Sequence, residues 1–287
     1  MKEYPVKTIY FEDELHDDFA STKIARKTLP KKLKFYHKNL IYRFLSNCVY
    51  YIIGVPFAWL FVKLVYGVKI VGKKKWKRAR LRKQGVFIYA NHTTAADALF
   101  VPLLLALPKR TRIICSVEAV SNSFLRPIEI FLGALPLPDS SEQRKPFVDA
   151  VSYYSKKRHD AILIFPEAHI WPYCTRIRPF GEQAFTYPAQ EGLPVVSVCT
   201  TFERRKILRF LPPRFVIHVS DACYPEMDLP LGERSKKLRD QAYDYMVETS
   251  SSLENAEYYR YLPKERESVS LPSSDGATYN QDRKEDA

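Results

Sequence analysis

Two polar turns carry the residues that could do chemistry in this sequence, and each follows a strand-like apolar run. The first turn contains His92 and, five positions later, Asp97. The run before it, residues 86–90, has the length and the β-branched and aromatic content of a buried strand. A longer Ala- and Leu-rich run after it, residues 95–107, predicts a helix. His92 is therefore expected at a strand end, where open α/β sheets bind their ligands.

A histidine and a carboxylate at this spacing form a possible catalytic base and its orienting partner. A neutral imidazole accepts a proton near pH 7, and a carboxylate on its other ring nitrogen fixes the tautomer and stabilises the imidazolium. The same residues also fit a purely local function. Asn91 or Thr93 would then cap the helix, Asp97 would complement its dipole, and His92 would be an ordinary turn histidine.

The second turn supports the catalytic interpretation. The apolar run 161–165 is a second buried-strand candidate, and it ends at Pro166, Glu167 and, after one residue, His169. Two buried strands that end in polar turns about 70 residues apart predict two edges of one cleft.

Residues 91–97, Asn-His-Thr-Thr-Ala-Ala-Asp, resemble the NHxxxxD signature of the glycerolipid acyltransferases, the 1-acylglycerol-3-phosphate acyltransferase family. Residues 165–167 are similar to the Phe-Pro-Glu-Gly block of that family. Residues 131–137 resemble its glycine- and arginine-containing block, and residues 192–198 its last apolar block. The four blocks stand in the family order.

The resemblance implies a reaction and a set of site residues. His92 would deprotonate an acceptor hydroxyl, with Asp97 orienting the ring, and the oxygen would attack an acyl-CoA or acyl carrier protein thioester directly. No bound cofactor, metal or covalent acyl-enzyme is implied, and the acceptor would be a lysophosphatidic acid-like lysolipid. The implied substrate-binding residues are Asn91, Pro166, Glu167, His169, Arg176 and Arg178.

Two departures from the family pattern concern the acceptor. The arginine expected in the second block is replaced near Asp139 by an acid, and the Gly-Thr-Arg continuation of the third block reads Ala-His-Ile at 168–170. A phosphate acceptor needs cations in a fixed geometry, and Arg176 and Arg178 are the nearest substitutes. The alternatives are an acceptor without a terminal phosphate and a catalytically weak lipid-binding relative.

The composition points to an anionic partner. The 287 residues carry a formal net charge of +13, which fits an anionic membrane surface or a nucleic acid. The basic residues flank an apolar segment and show no nucleic-acid recognition motif, so a membrane is favoured and a nucleic acid is not. Five cysteines without a CxxC pair indicate neither a disulfide framework nor a zinc site, as expected for a chain facing the cytosol.

The apolar segment, residues 44–68, is nearly long enough to cross a membrane, which takes about 20 apolar residues. Gly54 and Pro56 interrupt it, Lys63 lies inside it, and both flanks are basic. Because positive flanks prefer the cytoplasmic side, the pattern predicts a broken, in-plane or re-entrant helix on the cytoplasmic face. A single crossing and a buried core helix are the alternatives.

These observations divide the chain into four parts. Residues 1–43 form an arm that is polar and then basic, 44–68 the membrane-associated helical segment, 69–256 the acyltransferase domain and 257–287 a disordered tail. Alternating strand and helix patterns predict an α/β domain whose mostly parallel central sheet is flanked by helices.

Overall fold

The computed structural model describes residues 4–20, 27–207 and 209–264. The strands are β1 (Lys7–Phe11), β2 (Lys69–Val71), β3 (Val86–Ala90), β4 (Thr111–Cys115), β5 (Ala134–Pro136), β6 (Ala161–Ile164), β7 (Val195–Glu203), β8 (Arg214–Cys223) and β9 (Tyr259–Pro263). The main helices are α1 (Leu40–Tyr66), α2 (Lys73–Arg78), α3 (Asp97–Ala106), α4 (Arg126–Leu132), α5 (Ser141–Ser152), α6 (Thr186–Glu191) and α7 (Leu231–Ser252).

A seven-stranded sheet in the order β2-β8-β7-β3-β6-β4-β5 forms the centre of the molecule. All neighbours pair in parallel except β7 and β8, which form an antiparallel pair. The predicted α/β fold with a mostly parallel sheet is confirmed. β3 is central and every one of its residues is buried, which explains its continuous apolar run, since parallel strands are covered on both faces.

Two apolar clusters cover the two faces of the sheet. One contains Ile88 and Val198 together with Val62 of α1 and Phe100 of α3. The other contains Tyr89 and residues of α5, α6 and α7. Side chains alternate along a strand, so the two clusters together cover both faces of β3. The turn after β3 therefore begins at a fully packed segment.

α1 is one uninterrupted helix of 27 residues, so the break predicted at Gly54 and Pro56 is wrong. A π-helical stretch, Val49–Gly54, precedes Pro56, which lies at the start of the following α-helical stretch. Proline is tolerated in a first turn, and π-bulges accommodate a locally lost hydrogen bond. The segment was expected to be helical, and that expectation agrees with the structure.

The N-terminal arm and the C-terminal segment meet in a second, two-stranded sheet. β1 pairs in parallel with β9, so part of the segment predicted as a disordered tail from residue 257 is a strand. Residues 21–26 of the predicted arm and 265–287 of the predicted tail lie outside the described residues. Single-sequence patterns missed this pairing because its two partners are about 250 residues apart along the chain.

Trp171 holds this small sheet against the domain. Its side chain is completely buried, its ring contacts Phe11, Phe19 and Tyr261, and its indole N–H donates to the carbonyl of Asp17 at 2.8 Å. Trp171, which follows the second polar turn, is thus a main contact between the terminal strands and the domain.

Replacing this ring should loosen both termini. We expect Trp171→Ala to lower the free energy of unfolding by about 3–5 kcal/mol, the usual cost of removing a large buried aromatic ring, and to expose β1 and β9 to protease. Urea denaturation and limited proteolysis measure the two effects. Trp59→Ala is the control, because Trp59 is 46% exposed on α1; equal losses in the two variants would contradict this role of Trp171.

Candidate active site

The two polar turns lie side by side at one edge of the sheet. β3 pairs in parallel with β6 and with β7, so their carboxyl ends share an edge, which we call the carboxyl edge. The turn after β3 holds His92, and the turn after β6 holds Glu167. Two backbone hydrogen bonds join the turns, from the N–H groups of Trp171 and Tyr173 to the carbonyls of His92 and Thr93.

His92 and Asp97 are in contact, as their spacing predicts. His92 Nδ1 lies 3.3 Å from Asp97 Oδ2. The same carboxylate oxygen accepts hydrogen bonds from the backbone N–H groups of Thr93 at 2.6 Å and Thr94 at 2.9 Å. Asp97 thus both organises the first turn of α3 and faces the imidazole, so the structural and the catalytic interpretation of this residue are compatible.

The His92 ring has a defined orientation. It stacks on Phe165, with 4.1 Å between ring centroids and an interplanar angle of 13°, and its side chain is 13% exposed. Within the described residues, no protein group forms a hydrogen bond with His92 Nε2. The ring therefore presents one nitrogen to Asp97 and the other to the space in front of the turn.

Glu167 lies behind this site, and its carboxylate joins three segments. Oε2 accepts from the backbone N–H of His92 at 3.1 Å and from Arg178 Nη2 at 3.1 Å, and Oε1 accepts from the backbone N–H of Arg178 at 2.9 Å. Burial raises the pKa of Glu167, while the Arg178 guanidinium and the two backbone N–H groups oppose that rise. The residue was predicted to bind substrate, and its contacts are those of a group that positions His92.

Asn91 is likewise used inside the protein. Its side chain is buried; its amide group donates to the carbonyl of Thr200 at 3.0 Å and accepts from the N–H of Thr200 at 2.7 Å. These bonds tie the end of β3 to β7, and the substrate contact of Asn91 stays a prediction.

The turn after β6 is tight and includes strained backbone. Pro166 is half-buried within it, and Ala168 adopts a φ of 64° where the resembled family has glycine. A left-handed conformation costs a residue with a Cβ about 1–2 kcal/mol, and such strain accumulates at functional turns. The N–H of Ala168 donates to the carbonyl of Phe165 at 3.1 Å, which closes the turn.

The cations predicted to bind substrate already have partners. Arg178 is 1% exposed and forms the buried ion pair with Glu167. Arg176 pairs with Glu14 of the N-terminal segment, and His169 Nδ1 lies 3.8 Å from Asp18. Acidic residues of the N-terminal arm thus pack on the turn after β6, because their carboxylates meet the basic side chains there.

Asp139, which stands where the family arginine is expected, serves a different contact. Its carboxylate accepts a hydrogen bond from the backbone N–H of Leu29 at 2.7 Å. It thereby fixes the segment before α1.

Sequence reasoning missed two contributors to the site. Phe165 supports the His92 ring by stacking, and its position as the last aromatic residue of the strand-like run was the available signal. Asp17 and Asp18 reach the second turn from the N terminus, and nothing in the local sequence indicates that long-range contact.

Breaking the buried ion pair should unfold the site rather than merely weaken substrate binding. We expect Glu167→Gln to cost about 3–5 kcal/mol, because it leaves the buried Arg178 charge unpaired, and the double variant Glu167→Gln/Arg178→Met to cost less than the sum of the single changes. Urea denaturation measures all three. Glu14→Gln, in the more exposed pair with Arg176, should cost less than about 1 kcal/mol; an unchanged stability in Glu167→Gln would refute the positioning role.

The chain resembles known proteins by a family model and by a solved structure. Residues 67–201, which contain both turns, match the family model described as Acyltransferase. The crystal structure of the 1-acyl-sn-glycerophosphate (LPA) acyltransferase PlsC from Thermotoga maritima aligns with 74% of this chain and 94% of that chain, at 14% identity and a TM-score of 0.48. No curated protein sequence matches the chain. Residues 67–201, just under half of the chain, thus resemble the acyltransferase family.

Proposed function

We propose that this protein moves a fatty acyl group from an acyl thioester to a hydroxyl of a lysolipid, with His92 as the general base. The observation that carries the proposal is the imidazole itself, held between Asp97 and Phe165 with Nε2 unbonded. A positioned base typically contributes about 10²–10⁴ in rate to the attack of a hydroxyl.

The reaction follows from this arrangement in two steps. As the acceptor hydroxyl attacks the thioester carbonyl, its proton passes to His92 Nε2 and a C–O bond forms. The tetrahedral intermediate then collapses, the C–S bond breaks, and the imidazolium returns the proton to the leaving thiolate. Asp97 stabilises the imidazolium between the two steps. Acyl-CoA and acyl carrier protein both supply such a thioester.

The lysophosphatidic acid-like acceptor is proposed from the family resemblance. The partners of Arg176 and Arg178 limit which acceptor headgroups these cations can bind. Arg178 is enclosed with Glu167, so a phosphate at the site would have to draw Arg176 away from Glu14. A lysophosphatidic acid-like acceptor can do so because a phosphate carries more charge than one carboxylate. An acceptor without a terminal phosphate leaves the pair intact, and this is the second candidate.

We also propose that α1 docks the enzyme in the plane of a membrane. By length and composition α1 could span a bilayer, and only 11% of its most apolar stretch is buried. Tyr50 and Val62 pack into the domain, whereas the opposite side is an apolar stripe that includes Phe57, Leu60 and Leu64. A helix covered by protein along one side and apolar along the other fits interfacial burial better than a crossing.

His92 is the first residue to test. We expect His92→Gln to reduce acyl transfer by about 10²–10⁴ while leaving the melting temperature near that of the wild type, since the ring is not needed for the Glu167 contacts. Thiol release from acyl-CoA, measured with purified protein and each acceptor, checks this. His16→Gln, in an exposed histidine, is the matched control.

The acceptor panel separates the candidates. It contains lysophosphatidic acid, glycerol-3-phosphate and a zwitterionic lysolipid, each with acyl-CoA and with acyl carrier protein as donor. Transfer only to the zwitterionic lysolipid would favour the acceptor without a terminal phosphate. Thiol release that is absent with both donors would reject the enzyme proposal in favour of a lipid-binding relative, and equal release by wild type and His92→Gln would reject His92 as the general base.

Membrane docking is tested on the exposed stripe. We expect Phe57→Glu and Leu64→Glu, each in a residue that is 76% exposed, to reduce co-sedimentation with phosphatidylcholine vesicles about tenfold or more, because each change places a charge in the acyl region. The control is Val247→Glu, at an exposed position of α7. Undiminished binding of both α1 variants would show that α1 is not the docking element.

A further inference from the structure

A basic cavity lies at the edge of the sheet opposite His92. It opens to solvent and is lined by Arg43, Asn47, Arg110, Arg112, Tyr153 and Arg158, among others. Arg110 precedes β4 and Arg158 precedes β6, so the cavity lies at the amino ends of strands whose carboxyl ends face the turns of the candidate active site. We call it the Arg110 cavity.

Arg110 is a buried cation that makes no ion pair within the described part of the chain. It is 6% exposed, and its guanidinium donates to three neutral acceptors: the side chain of Asn47, Ser46 Oγ at 2.6 Å and the carbonyl of Phe131 at 2.7 Å. Its buried Nε has no hydrogen-bond partner. Burial and the nearby Arg112 lower its pKa to about 10, which leaves it charged at neutral pH. A buried charge of this kind normally has an anionic partner.

The cations around Arg110 reinforce this imbalance. Arg112 pairs with Asp160 at 2.9 Å, whereas the side chains of Arg43 and Arg158 make no ion pair or hydrogen bond within the described part of the chain. The buried Nε of Arg43 is also without a partner. No Asp or Glu is among the described residues that line the cavity. Asp160 pairs with Arg112 alone, so Arg43, Arg110 and Arg158 have no ion-pair partner within the described part of the chain.

The first two turns of α1 connect the cavity to the apolar stripe. Residues 42, 43, 46 and 47 line the cavity, whereas Leu40, Ile41, Phe44 and Leu45 on the same turns are exposed. An anion in the cavity would therefore lie beside side chains suited to acyl chains. A phosphate group attached to a lipid satisfies both surfaces at once.

We propose that the Arg110 cavity binds one phosphate group, supplied by the headgroup of an anionic lipid whose acyl chains lie along α1. Guanidinium groups suit this ligand because their planar N–H pairs match phosphate oxygens. The lipid source rests on the membrane docking proposed above. The phosphate chemistry rests on the four arginines alone, and the two can be tested separately.

The test compares full-length proteins that differ only at the mouth of the cavity. The double variant Arg43→Lys/Arg158→Lys keeps the positive charge but removes the planar guanidinium groups. The double variant Arg43→Gln/Arg158→Gln removes both the charge and the guanidinium groups. Arg110 is left in place because its bonds to α1 and to the carbonyl of Phe131 support the fold. Each protein is sedimented with phosphatidylcholine vesicles and with vesicles in which part of that lipid is replaced by phosphatidic acid. Thermal melting with and without inorganic phosphate, at equal ionic strength, is the second readout.

We expect the wild type to bind the phosphatidic acid vesicles more tightly than the phosphatidylcholine vesicles. In both variants we expect this preference to fall about tenfold, while their binding to phosphatidylcholine vesicles stays equal to that of the wild type. An equal preference in the wild type and the lysine variant would overturn the site in favour of diffuse attraction. Phosphate-dependent stabilisation of the wild type alone, without a vesicle preference, would keep the phosphate site and overturn its lipid source. The absence of both effects would reject the proposal, and the absence of all vesicle binding would reject the docking of α1 independently.

Discussion

The carboxylate of Glu167 is the constraint on which the candidate site depends. It is buried, and it binds the backbone N–H of His92, the backbone N–H of Arg178 and the Arg178 guanidinium. A buried carboxylate is tolerable only when it is paired and hydrogen-bonded, and here the partners come from two residues, His92 and Arg178, on different segments of the site. Because β3 and β6 are neighbours, this group fixes the spacing between their turns and with it the position of the His92 ring.

The two proposed sites lie at opposite edges of the sheet, and α1 runs from one to the other. The His92 turn lies at the carboxyl edge, and the Arg110 cavity lies at the amino edge. α1 runs between them, since Asn47 near its start bonds Arg110 and Tyr66 at its end packs on Phe100 and Phe215. A helix lying in a membrane surface along this path would bring both edges to that surface. A lipid acceptor would then reach His92 laterally, without leaving the bilayer.

The parts of the structure that were predictable are those that local patterns determine. The runs at 86–90 and 161–165 predicted β3 and β6 because a strand buried on both faces must be continuously apolar, and the five-residue spacing predicted the contact of His92 with Asp97. The pairing of β1 with β9 was not predictable, since strand registration between distant segments leaves no local trace. Arg176 and Arg178 were correctly placed near the site, but their acidic partners, Glu14 and Glu167, decide what they can bind, and those partners come from other segments.

The N-terminal acidic segment gives the site an electrostatic property that the catalytic residues alone do not have. Glu14 and Asp18 face Arg176 and His169 with the same sign of charge that an acceptor phosphate would bring. Trp171 fixes this segment in place by binding the carbonyl of Asp17. Under the proposed function, a phosphate acceptor would have to exchange one anion for another at Arg176, while an uncharged headgroup would meet a site whose charges are already balanced. The acceptor preference would then depend on a segment far from His92 in sequence.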